Sequence, residues 1–178
     1  MILIINVCKE KLHYFEFVKP IEDILKKENV DFFTKHYLEL TKKDLIKADK
    51  VIICGTSLKD NVFVDNIEKF EWIRDFEKPL LGICAGMQIV GLVGGGKLKM
   101  HLEIGYFYED FRKKFLGVNE EVEVYHLHNN YVDFSDEFEI FNKGEVVQAA
   151  KHKLKDIYGV LFHPEVRNKK MILEFVKI

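Results

Sequence analysis

The sequence predicts an α/β fold: an open, mostly parallel sheet with helices on both faces, extended by antiparallel strands in the C-terminal half. Two observations predict it. Through the first half, short β-rich apolar runs alternate with segments whose apolar residues recur at helical spacing, a pattern that builds a parallel sheet covered on both sides. After Gly94-Gly95-Gly96 the alternation stops, and strand-like runs follow one another with turn-like breaks between them.

Ile2 to Val7 is the first apolar run, and Phe15 to Lys27 carries Phe17, Ile21, Ile24 and Leu25 at helical spacing. Val30 to Tyr37 reads as a strand. Thr41, with Asp44 three residues on, has the form of a cap for a short helix ending at Ala48. Val51 to Cys54 is a buried strand ending in Gly55, and Asn66 to Phe76 is the next expected helix. Pro79 to Ile83 is a strand, Ala85 to Val93 a helix, and the triple glycine stops that helix. The later strands are expected at Lys97 to Met100, Glu103 to Tyr108, Glu121 to His126, Glu137 to Phe141, Val146 to His152 and Ile157 to Phe162. They read as an antiparallel extension of one sheet system. Asn168 to Lys177 closes the chain as a helix with Ile172, Leu173 and Val176 on its apolar face.

At 178 residues with 48% hydrophobic and 31% charged content, the chain has the material for one sizeable core, so one domain over residues 1–178 is expected. The formal net charge is -2 and the basic residues are scattered, which argues against a nucleic-acid partner. No apolar run reaches the roughly 18 residues of a membrane span. Met1 to Cys8 has neither a basic region nor a cleavage site, so no membrane partner and a cytoplasmic location are expected. Three widely spaced cysteines, Cys8, Cys54 and Cys84, do not make a disulfide framework and should be reduced.

The chemistry concentrates at Pro79-Leu80-Leu81-Gly82-Ile83-Cys84-Ala85-Gly86-Met87-Gln88, an apolar strand running through a cysteine into a helix. A residue at the apex of such a turn sits in strained backbone geometry, and the glycines two positions either side let neighbouring elements approach closely. The helix also points free N–H groups and its positive end at the sulfur. Cys84 is the candidate nucleophile. A lone cysteine before a glycine is usually a small buried hydrophobe, but Tyr158-Gly159-Val160-Leu161-Phe162-His163-Pro164-Glu165 supplies a histidine at a strand end with a carboxylate two residues on. Cys84, His163 and Glu165 then form a triad in that chain order. His126 and His128, two apart on a strand, project to one face, but no third or fourth ligand stands at useful spacing, so no metal site is expected.

The elbow, the Gly-Val-Leu-Phe-His-Pro-Glu segment and their spacing resemble the class I, triad-type glutamine amidotransferases, over nearly the whole chain. The resemblance implies a flavodoxin-like fold, hydrolysis of L-glutamine through a thioester on Cys84, and delivery of ammonia to a synthetase. It assigns His163 as general base and then acid, with Glu165 orienting it. The oxyanion donors would be the backbone N–H groups of Ala85 and of the Gly55-Thr56 turn. Gln88 matches the family's glutamine-binding residue, and Asn129 and Asn130 match a loop that contacts substrate in relatives.

Glu103-Ile104-Gly105, the stretch His126 to Val132 and Ile157-Tyr158-Gly159 look most like the branch that serves a separate, two-subunit GMP synthase. That branch places ATP and Mg on the partner synthetase and no cofactor on this chain. The run Gly91 to Lys97 has phosphate-loop spacing, but no strand precedes its glycines and Leu98 stands where Ser or Thr would follow, so it reads as a helix stop and not a phosphate cradle. Three departures stand against the family pattern. Gly55-Thr56-Ser57 replaces Gly-Gly-Pro, which puts a β-branched residue where a positive φ would be costly. Ala85 replaces Leu or Tyr, as in the pyridoxal-phosphate synthase branch. Leu127-His128-Asn129-Asn130 replaces Ser-His-Gly-Asp. The competing readings are therefore an amidotransferase for a different synthetase, a stress-response or peptidase-like member of the fold, and a non-catalytic relative.

Overall fold

A computed structural model describes residues 1–178. Seven strands form one sheet in the order β2-β1-β3-β4-β9-β8-β7, with β1 at Ile2–Asn6, β2 at Phe32–His36, β3 at Lys50–Ile53, β4 at Leu80–Ile83, β7 at Phe138–Ile140, β8 at Ala149–His152 and β9 at Ile157–Val160. Strands β2, β1, β3, β4 and β9 run parallel, and β8 and β7 add antiparallel to β9. The period of two in the apolar strands divides the core. Ile2 and Ile4 face one cluster with Ile21, Leu25, Ile172 and Phe175, while Leu3 and Ile5 face the other with Phe63, Phe70, Ile89 and Val90. Helices α2 (Lys19–Lys27) and α6 (Lys169–Val176) cover the first face, and α5 (Ala85–Val93) covers the second. No helix is long and apolar enough to cross a membrane.

The expected helix from Phe15 to Lys27 is broken at Val18 into α1 (Tyr14–Phe17) and α2, preceded by a 3₁₀ turn at Lys11–His13, with Pro20 in the first turn of α2. Proline is tolerated there because its missing N–H would have had no helical partner. At Asn66 to Phe76 the structure has α4 (Val62–Asp65) and then a nine-residue 3₁₀ helix, Ile67–Asp75. Ile67, Phe70, Ile73 and Phe76 recur every third residue, and three residues per turn is what keeps such a stripe on the core. Helix α3 (Lys42–Lys47) has the capping box foreseen at Thr41 and Asp44. Its other end is held by Lys78, whose Nζ donates to the carbonyls of Leu45, Ile46 and Ala48 at 3.3, 2.9 and 2.6 Å.

The later strands split in a way the sequence did not foretell. Lys97 to Met100 and Glu103 to Tyr108 are one strand, β5 (Lys97–Glu109), with an irregularity between Met100 and Glu103. It pairs only with β6 (Val122–Asp133), as a separate two-stranded ribbon, and the run at Ile157 joins the main sheet parallel to β4. The inner residues of β6, Val124, His126, His128, Asn130 and Val132, are buried.

Candidate active site

Strand β4 delivers Cys84 to the N-cap of α5 with φ 50° and ψ -105°, a conformation few non-glycine residues adopt. Two glycines make that turn sterically feasible. A Cβ on Gly82 would lie 2.4 Å from the carbonyl oxygen of Gly86, and one on Gly86 would lie 2.2 Å from that of Ile53. The Cys84 N–H donates to Val160 at 2.8 Å, tying the elbow to β9, and three residues beyond Val160 stands His163. The N–H of His163 donates to the Tyr125 carbonyl on β6 at 2.8 Å, and the Phe17 ring of α1 packs 5.5 Å from its imidazole.

His163 and Glu165 are both buried, with Nδ1 and Oε1 2.7 Å apart. Nε2 has no hydrogen-bond partner. Burial opposes charge on this imidazole, but the Glu165 carboxylate and Cys84 outweigh it and hold His163 protonated well above the ordinary histidine range. The other two thiols differ in kind. Burial pushes Cys8 up to about 11 and lifts Cys54 well above the usual thiol range, so both stay protonated and inert.

The Gly55-Thr56 turn lies against both catalytic side chains: a Cβ on Gly55 would meet His163 Cε1 at 2.7 Å and Cys84 Cβ at 3.2 Å. Thr56 does not have a positive φ, so its branched side chain carries no backbone strain. Its hydroxyl donates to Asp60 Oδ2 at 2.7 Å, and the same oxygen accepts from the Lys9 N–H at 2.7 Å. Asp60 is therefore a buried brace for the turn. Sequence reasoning passed over it, although a carboxylate five residues past Gly55 of the proposed oxyanion turn was the available signal. Ala85 opens α5, and the first N–H groups of a helix have no partner within it.

Gln88, Asn129 and Asn130 are brought together, but they are occupied with one another and the backbone. Gln88 Nε2 donates to the Asn130 carbonyl at 2.9 Å, Asn129 Nδ2 to the Leu58 carbonyl at 2.8 Å, and Asn130 Nδ2 to Asn129 Oδ1 at 2.9 Å. These bonds draw β6 onto α5 and the loop after β3. The space left between Cys84, Gln88 and Asn129 is only ≈10 Å³, room for about one water molecule. On the His163 side a cleft of ≈560 Å³ opens instead, lined by Phe17, Leu58, Tyr125, Leu127 and His163 among others.

His126 and His128 share the inner face of β6, as their spacing requires, and the structure sets Glu103 of β5 between them. Burial works against the Glu103 charge, but the His128 and Gln148 hydrogen bonds and nearby His126 hold its carboxyl down at about 2. Burial pulls His128 below the ordinary histidine value, only partly offset by Glu103.

The family model for class I glutamine amidotransferases matches residues 14–177. One subunit of the glutamine-hydrolysing GMP synthase of Picrophilus torridus is 33% identical over 135 residues, 70% of this chain and 71% of that protein. The corresponding protein of Methanobrevibacter smithii is 32% identical, with the alignment spanning 55% of this chain and 56% of that one. A solved structure of a Thermoplasma acidophilum protein superposes with a TM-score of 0.86 at 22% identity, covering 99% of this chain and 92% of the other.

Proposed function

The chain belongs to the class I glutamine amidotransferases, and on that premise we propose that Cys84, His163 and Glu165 hydrolyse L-glutamine for a separate ATP-dependent synthetase that converts XMP to GMP. For the chemistry, the supporting observation is the buried His163–Glu165 pair at 2.7 Å beside a cysteine held at positive φ. For the acceptor, it is the likeness to the glutamine-hydrolysing GMP synthase protein of Picrophilus torridus over 70% of the chain.

With the Cys84 proton held on His163, the thiolate attacks the carboxamide carbon of glutamine. The oxyanion that forms is met by the N–H groups of Ala85 and the Gly55-Thr56 turn, each such donor being worth roughly a hundred- to a thousandfold in rate. His163 returns the proton to the departing nitrogen, ammonia leaves, and a thioester remains on Cys84. Water, deprotonated by His163, then releases glutamate and regenerates the thiol. Glu165 fixes the tautomer and stabilises the imidazolium.

This assignment fixes the sign of a pH effect. Glu165 raises the proton affinity of His163, and ammonia departs only from the imidazolium form, so activity falls as pH rises through that group's pKa. Glu165→Gln is expected to move the alkaline limb of kcat/KM to lower pH and to reduce kcat by roughly 10²- to 10⁴-fold. An alkaline limb that stays in place in the variant would assign it to another group.

The acceptor is tested by measuring glutamate release from the full chain mixed with a synthetase of the GMP-synthase type, with and without ATP and XMP. Release that rises with both is the expected result. Release that ignores that synthetase would leave the glutaminase intact and overturn the acceptor. The Ala85 departure then directs the search to a pyridoxal-phosphate-synthase-type partner.

A further inference from the structure

We propose that Glu103, His126 and His128 form a transition-metal site, best matched to Zn²⁺, that clamps the β5–β6 ribbon beside the catalytic cysteine. It is separate from the triad and uses none of its residues. The alternation of β6 turns both histidines inward, their side chains fully buried. The register of the ribbon sets Glu103 directly opposite His128 and puts Gly105, with no side chain, opposite His126. The irregularity just before Glu103 aims its carboxylate into the gap between the two rings.

Three ligand atoms converge there. His126 Nδ1 and His128 Nε2 are 3.1 Å apart, His128 Nε2 is 3.0 Å from Glu103 Oε2, and His126 Nδ1 is 3.5 Å from the same oxygen. Tetrahedral zinc with bonds of about 2.0–2.1 Å spaces its donors about 3.3 Å apart, so each edge of this triangle is within a few tenths of an ångström of a zinc face. Protons alone satisfy the arrangement poorly. Two ring nitrogens face each other, at most one proton can lie between them, and their shared carboxylate oxygen already accepts from Gln148 Nε2 at 2.6 Å. A cation on the open side of the triangle would satisfy all three lone pairs together.

The surroundings follow the same logic. A ligating histidine ordinarily gives its second ring nitrogen to a carboxylate; Glu109 Oε1 stands 3.2 Å from His126 Nε2, though not aligned as a hydrogen bond, while His128 Nδ1 is buried without a partner. Gln148 Oε1 is buried beside Glu103 without a hydrogen-bond partner, a fourth donor within the same cluster. Two imidazoles and a single carboxylate suit Zn²⁺, Co²⁺ or Ni²⁺ and do not suit Mg²⁺ or Ca²⁺, which require more oxygen.

The position gives the site its role. Between the two histidines stands Leu127, whose carbonyl is 3.7 Å from Cys84 Sγ, and His128 itself borders the small space between Cys84 and Gln88. A metal on this triangle pins the strand that walls the nucleophile. It is a structural ion, remote from the bond-making steps.

The test uses the full chain stripped with chelator, dialysed, and titrated with ZnCl₂ alone, with MgCl₂ as control. Elemental analysis after gel filtration is expected to give about one zinc per chain, and the unfolding midpoint to rise with zinc and not with magnesium. Co²⁺ should give the ligand-field spectrum of a nitrogen–oxygen site without sulfur charge transfer. His126→Gln and Glu103→Gln should each weaken zinc binding by about a hundredfold or more, whereas Cys84→Ser should retain it. Trace zinc with an unmoved midpoint would overturn the proposal, as would zinc that persists in both ligand variants. A sulfur charge-transfer band with Co²⁺ would move the ion to a thiol, and this last result needs no variant that folds.

Discussion

Cys84→Ala is expected to reduce glutamine hydrolysis by about 10⁶-fold, to background, while leaving the fold in place. Removing a nucleophile from a catalytic unit costs nearly as much as removing the whole unit, because its base and orienting acid have nothing left to act on. The stability cost should be small, within about 1 kcal/mol. The sulfur's polar partners are the His163 ring and, at 3.7 Å, the Leu127 carbonyl, and alanine inherits the same positive φ that cysteine already tolerates. Glutamate release and thermal unfolding, measured on one preparation, check both halves. Residual hydrolysis above background would remove Cys84 from the mechanism, since Cys8 and Cys54 are buried and held protonated.

Gly86→Ala should do the opposite, damaging fold and activity together. Its new Cβ would stand 2.2 Å from the carbonyl oxygen and 2.8 Å from the carbonyl carbon of Ile53. Those atoms belong to β3, a strand paired on both sides with β1 and β4, so the clash falls on backbone that cannot turn aside. Overpacking of this kind costs roughly 3 kcal/mol. Any relief obtained by moving α5 displaces Cys84 from His163. Denaturant titration should show the loss, and Gly95→Ala serves as the comparison. Gly95 has φ 81° but nothing within 4 Å, so it tests backbone strain without collision and should cost only about 1–2 kcal/mol. Equal losses at the two sites would mean that contact between α5 and β3 is not what requires glycine at 86.

The parts of this molecule that were legible in the sequence are those written in contiguous residues. The strand–Cys84–helix elbow, the His163-Pro164-Glu165 strand end and the Thr41–Asp44 cap each lie within a dozen residues, and the alternation that builds the parallel sheet is a succession of such short local patterns. What escaped depends on pairing across distance. Nothing local to Lys97–Glu109 distinguishes a strand that joins the main sheet from one that leaves it with a single partner. For the same reason Glu103 could not be seen to meet His126 and His128 more than twenty residues along the chain. The 3₁₀ run at Ile67–Asp75 was missed for a different reason: apolar spacing of three suits one helical turn of either kind, and only its repetition at Phe70, Ile73 and Phe76 separates them. Thr56 was suspected of strain because its place in the turn was known and its dihedral angle was not.

The ≈10 Å³ left between Cys84, Gln88 and Asn129 bears on how much nitrogen the chain would waste on its own. A gap that size holds no amino-acid side chain, so a substrate bound there would select conformers in which the gap is wider, and a ligand that binds only such conformers shows an apparent Kd equal to the intrinsic Kd divided by their population. If about one molecule in a hundred is open, about a hundredfold more glutamine is needed to fill the site. The idle leak of ammonia is then scaled down in proportion by the hydrogen bonds of Gln88, Asn129 and Asn130 that close the gap, whatever the power of the triad behind it.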